Sequence, residues 1–178
     1  MNLSDFQISA ERTMVAGMPG EQLMLNAALG LCGEIAEFDQ AVLSTWGKAP
    51  SLFDEAGDLL WYGAQMCKAM GKSIAAVPPE PEVFLGWDTE TTIQSLYRNA
   101  GWVADATKKR IFHGRLINPF DMLAALQAIV GGVEHILSIY HFRLEQALDR
   151  NHEKRALRHP AGFTRATANA RADEEPAP

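Results

Sequence analysis

The sequence predicts an all-α protein, a helical bundle within one domain. Apolar residues recur at helical spacing over long segments, and the alternation of β-branched with polar residues that marks a strand is missing. Glycine and proline cluster in short stretches between those segments. A chain of 178 residues, 47% hydrophobic and 21% charged, is large enough for one domain with a proper core.

Residues 3–15 carry Leu3, Phe6, Ile8, Ala10 and Met14 at apolar positions behind a Ser4-Asp5 start, with Ser4 expected as N-cap. Gly17-Met18-Pro19-Gly20 is a break. Residues 21–45 read as a long helix with Leu23, Leu25, Leu29, Leu31, Ile35, Phe38, Val42 and Leu43 as apolar positions. A turn is expected over 47–50. Ser51 then caps a helix that runs to about Met70 and is closed by Gly71. Prolines 78, 79 and 81 forbid a helix and favour an extended linker over 77–88.

Residues 89–112 form the next helix, broken by His113-Gly114. Asn118 caps another, with Pro119 in its first turn, that continues through Leu137. The chain is again helical over 139–157, with Leu144, Ala147, Leu148 and Leu157 as core contacts, and Pro160-Ala161-Gly162 ends it. The most membrane-like run, 122–142, holds Gln127, Glu134, His135 and His141 and reads as a buried helix. One domain therefore spans 1–163: a first half over 3–76, the linker, a second half over 89–138 and a closing helix over 139–163. A disordered tail is expected over 164–178.

A net charge of −6 argues against a general nucleic-acid binder. Cys32 and Cys67 lie in apolar helical runs without zinc spacing and are expected as buried thiols in a reducing compartment. No leader-like segment is read, so the expected location is cytoplasmic, with no membrane partner.

The chain is organised around residues 33–62. Glu34 and Glu37, then Glu55 and Asp58, are each spaced i, i+3, which puts both members of a pair on one helix face. Two such helices packed antiparallel aim four carboxylates into one gap. The acids are interleaved with Ile35, Ala36, Phe38, Ala56, Leu59 and Trp61. Carboxylates on a buried face are costly unless paired or bound to metal. Hard oxygen ligands suit Mg²⁺, with Mn²⁺ as a substitute, and such an ion usually accompanies a phosphate substrate.

The block after the linker echoes the block before it. Gly33, Ala36, Gly47, Phe53, Asp54 and Leu59 align with Gly101, Ala104, Gly114, Phe120, Asp121 and Leu126 if one gap is allowed. The positions matching Glu34, Glu55 and Asp58 are Trp102, Met122 and Ala125, and only Glu37 keeps an acid, as Asp105. The second block instead carries Lys108, Lys109, Arg110 and Arg115. A duplicated pseudo-dimer with one composite site and unrelated drift both fit this pattern.

Glu34-x-x-Glu37 and Glu55-x-x-Asp58, set in Leu29-Gly30-Leu31-Cys32-Gly33-Glu34 and Gly57-Asp58-Leu59-Leu60-Trp61-Tyr62, resemble the MazG-like all-α nucleoside triphosphate pyrophosphohydrolases. Residues 3–13 resemble that family's opening helix. Asn151-x-x-Lys154-x-x-x-Arg158-His159-Pro160-Ala161-Gly162-Phe163 resembles its closing motif, with His159 where a tyrosine is usual.

The resemblance implies Mg²⁺-dependent cleavage of a (d)NTP between its α and β phosphates, giving (d)NMP and pyrophosphate. It also implies a homodimer or an intrachain pseudo-dimer. Glu34, Glu37, Glu55 and Asp58 would hold the ion, with Glu34 or Glu37 as catalytic base. Lys108, Lys109 and Arg115, or Lys154 and Arg158, suit phosphate. Asn26 and Asn151 suit sugar or base. Trp61 or Trp102 would be the tryptophan to stack on a base. The alternative is a non-catalytic nucleotide-sensing or protein-binding helical module derived from such an enzyme.

Overall fold

The structure, a computed structural model, describes residues 1–44 and 49–170. Among these it has no strand and seven α-helices: α1 (Leu3–Arg12), α2 (Gly20–Ser44), α3 (Ala49–Ala69), α4 (Thr89–His113), α5 (Pro119–Ile139), α6 (Leu144–Arg158) and α7 (Arg165–Ala170). The all-α bundle is as expected. Gly47, part of the turn over 47–50, and residues 171–178 of the tail lie outside the described residues.

Several boundaries move, each for a local reason. The cap of α1 is Asn2, whose side chain accepts from the Asp5 amide, so Ser4 lies inside the helix. Ser51 also lies inside its helix, because α3 starts at Ala49 with Pro50 in the first turn, where no amide hydrogen is needed. α3 closes at Gly71 (φ 66°) as expected: Gly71 N–H donates to the Lys68 carbonyl at 2.9 Å and Lys72 N–H to the Cys67 carbonyl at 2.8 Å.

His141 closes α5 in the same way. It adopts φ 61°, its N–H donates to the Ser138 carbonyl and that of Phe142 to the Leu137 carbonyl, each at 2.9 Å. The helix expected over 139–157 is thus split by a turn that no glycine announces. The proline linker holds a 3₁₀ turn, Pro81–Phe84, begun by proline itself. Its Phe84 is buried and stacks on His135 of α5. Within the expected tail, 165–170 form α7.

Two antiparallel hairpins make the bundle, α2 with α3 and α4 with α5. They pack through their first helices, where Tyr97 of α4 donates to Asp39 of α2 at 3.1 Å. α1 and α6 cover α3. One core cluster runs through both hairpins, including Phe6, Leu31, Ile35, Phe38, Leu59, Leu96, Met122 and Leu126. Each such side chain contributes about 1.5–3 kcal/mol by leaving water.

Leu157, expected as a core contact, is exposed, as are Ile8, Leu29 and Leu43 among the apolar positions of their helices. Their helices bury a narrower stripe than their composition suggests. Cys67 is buried as expected, whereas Cys32 is exposed, its thiol donating weakly to the Ala100 carbonyl at 3.9 Å. α5 is long and apolar enough to span a membrane, and most of it is buried in the bundle.

Candidate functional site

One face of α2 and one face of α3 meet below α6 and the segment that follows it. Asn26, Gly30, Glu34 and Glu37 follow each other at helical spacing on α2, as do Glu55, Asp58, Tyr62 and Gln65 on α3. α6 places Lys154, Arg155 and Arg158 opposite. These elements enclose a cleft of about 420 Å³, also lined by Thr13, Trp61, His159 and Phe163.

Carboxylate oxygens of Glu34, Glu37 and Glu55 lie within 4.8 Å of one another. Burial, then Asp58, Glu37 and Glu55, push the Glu34 carboxyl up to about 8. Burial, then Asp58, push that of Glu55 up to about 7. Ionising Glu34 and Glu55 here carries a cost, from burial first and then from the acids around them, Asp58 foremost. A small divalent cation would remove that cost, and an all-oxygen donor set is the kind that Mg²⁺ or Mn²⁺ takes. The residues therefore fit the ion.

A stability test follows. A carboxyl raised above its unfolded-state value holds its proton in the folded protein over a pH range where the unfolded chain has lost it. Between pH 4.5 and 8 the folded state binds more protons, and stability falls as pH rises. Thermal unfolding in chelator should show a lower Tm at pH 8 than at pH 5.5, and millimolar Mg²⁺ should raise Tm at pH 8 far more than at pH 5.5. A Mg²⁺ effect equal at both pH values would separate the ion from these carboxyls.

Asp58, expected as a fourth ligand, lines the same cleft and is also held by α6. One of its oxygens accepts from Asn151 Nδ2 at 2.7 Å and Arg155 at 3.0 Å, and the other from Lys154 Nζ at 2.5 Å. The three charged side chains are only 12–14% exposed. Arg155 also lies over the Trp61 ring, 3.9 Å from its centroid, and Trp61 donates to Thr13 Oγ1 at 3.0 Å. That ring face is therefore occupied by a guanidinium.

Asn151, expected to read sugar or base, is buried and holds Asp58 instead. It comes so close because residue 57 is glycine: a Cβ there would stand 2.6 Å from Asn151 Cβ and 2.9 Å from the Ala147 carbonyl oxygen. Gly57→Ala should push α6 outward and destabilise the protein by about 1–3 kcal/mol in urea unfolding. A neutral result would mean that the α3–α6 crossing yields freely. Gly30 has the corresponding role for Tyr62, whose ring occupies the space that a Cβ at 30 would need.

No family model, curated protein or solved structure matches the chain.

Of the remaining expected residues, Asn26, Lys154 and Arg158 line the cleft. Lys108, Lys109 and Arg115 do not. Lys108 and Lys109, three and four residues further along the same exposed helix face, both pair with Asp105, and their hydrogen bonds hold the Asp105 carboxyl down to about 2. Lys109 and Arg115 line a separate cavity of about 230 Å³ between α4 and α5, with Trp102. Arg110 of α4 reaches Glu21 of α2 at 3.6 Å, but Lys108, Lys109 and Arg115 are not delivered to the cleft acids within this chain, since the hairpins pack side by side through α2 and α4.

Sequence reasoning missed Arg155, Tyr62 and Gln65 as cleft residues. A signal for them existed: Tyr62 and Gln65 extend the face of Glu55 and Asp58 at i+4 and i+3 steps, and Arg155 is i+4 from Asn151.

Proposed function

We propose that the chain is a Mg²⁺-dependent nucleotide pyrophosphohydrolase of the MazG-like kind, cleaving a (d)NTP to (d)NMP and pyrophosphate. The observation that supports this most is the cleft's polarity. Three clustered carboxyls, Glu34, Glu37 and Glu55, face a cationic wall of Lys154 and Arg158 across one cavity. An acidic cluster with a cationic wall opposite suits a polyanion that arrives with a divalent cation.

When bound, Mg²⁺ would neutralise phosphate oxygens and act as a Lewis acid at the reacting phosphoryl group. The chain supplies the rest. Lys154 and Arg158 bind non-reacting phosphate oxygens, and Asp58 with Asn151 and Arg155 keeps α6 at the height that lets them do so. Glu34 or Glu37 takes the proton of the attacking water. The water oxygen bonds to the α phosphorus as the α–β bridging oxygen leaves with pyrophosphate.

Pyrophosphate release from a panel of NTPs and dNTPs, with Mg²⁺ and with chelator, tests this. Metal-dependent release from at least one nucleotide is expected. No release from any nucleotide by folded protein would instead favour the non-catalytic nucleotide-sensing module.

A further inference from the structure

At the end of the cleft away from the acids, Gln65 of α3 is fully buried yet lines the cavity. Its Oε1 accepts from Asn26 Nδ2 of α2 at 2.9 Å. Its Nε2 is buried and has no hydrogen-bond partner among the described residues. A buried donor without a partner is costly and rare in folded proteins, so a position that keeps one on a cavity wall asks for an acceptor from outside the chain. The bond from Asn26 uses its amide nitrogen and leaves Oδ1, an acceptor, on an exposed residue at the same wall. The wall therefore offers a deep donor and a shallower acceptor.

Gln65 stands seven residues beyond Asp58, about 10 Å along the helix, with Tyr62 between them. A nucleotide whose phosphates face the acids would cross Tyr62 with its sugar and present its base edge to this amide pair. On the reading of the cleft as a nucleotide site, we infer that Gln65 and Asn26 select the base. Gln65 Nε2 donates to a ring carbonyl and Asn26 Oδ1 accepts from the neighbouring ring N–H. The favoured bases are then those with a keto–imino edge: uracil, thymine, guanine or hypoxanthine. With the exocyclic group held in that same deep position, cytosine and adenine present an amino group to the Gln65 donor and a ring-nitrogen acceptor to Asn26 Oδ1, so neither contact forms.

The test is calorimetric binding of α,β-methylene triphosphate analogues of uridine, thymidine, guanosine, inosine, cytidine and adenosine to the full chain in Mg²⁺ buffer. Wild type should bind the keto set about 10- to 100-fold more tightly than the amino set. Gln65→Met, which keeps the length and removes both polar atoms, should bring the two sets within about threefold. Asn26→Ala should do the same; residue 26 is exposed, so this variant carries the test if the buried substitution does not fold. Equal binding of all bases by wild type, an amino preference, or a keto preference that survives in both variants overturns the base assignment and leaves the nucleotide site standing. Binding of none of the analogues overturns both.

Discussion

Asp58→Ala is expected to lower the unfolding free energy of the metal-free protein by about 3–5 kcal/mol, read by urea unfolding in chelator. Asp58 is the only carboxylate in contact with Lys154 and Arg155 among the described residues, and all three are nearly out of water. Removing it strands two buried cations and also leaves the Asn151 amide without its acceptor. Burial already pushes the Arg155 guanidinium below its ordinary range, and Asp58 is what counteracts this. Lys154→Met in the Asp58→Ala background should recover part of the loss, since one of the stranded charges is gone. If Asp58 were chiefly an ion ligand, its removal would leave the metal-free fold unchanged or relieve repulsion within it. A loss below about 1 kcal/mol, the range of an exposed pair, would return Asp58 to the ion-binding set.

That distinction was not legible in the sequence, although most of the fold was. Helical periodicity located the long helices to within a few residues, and Gly71, Gly114 and Asn118-Pro119 marked their ends, because these signals act over one or two turns of chain. The turn at His141 escaped because a residue that accepts left-handed backbone without being glycine gives no local warning. The i, i+3 spacing of the acids placed them on shared faces correctly. It could not show that Asp58, while lining the same cleft as Glu34, Glu37 and Glu55, is also held by Asn151, Lys154 and Arg155 of α6. That depends on where residues 151–155 dock, nearly a hundred positions further on, and on a glycine at 57 that lets them approach. Lys108 and Lys109 show the same limit. Their charge made them plausible phosphate ligands, but their nearest partner is Asp105 on their own helix, one turn away.

Glu34→Gln should move stability and activity in opposite directions. Glu34 is the carboxyl raised furthest, to about 8, by burial and by three neighbouring acids. The glutamine imitates its protonated form without the proton that must be lost at higher pH. In chelator at pH 8 the variant should therefore be more stable than wild type by about 2–4 kcal/mol. The gain should shrink toward zero near pH 4.5, where the wild-type carboxyl is protonated when folded and increasingly so when unfolded. With Mg²⁺ at pH 8 the order should narrow or reverse, because only wild type keeps the full set of three carboxylates. Pyrophosphate release should fall by about 10²–10⁴-fold, whether Glu34 holds the ion or takes the proton. Asp58→Ala loses stability with chelator present, whereas Glu34→Gln gains it. The opposite signs separate Asp58, which ties α6 to α3, from Glu34, whose ionisation burial and its acidic neighbours oppose, in a motif whose four members look alike in sequence. A Glu34→Gln protein that is destabilised in chelator at pH 8 would mean that the carboxylate has a partner within the chain, and the repulsion that argues for a cation in this cleft would be gone.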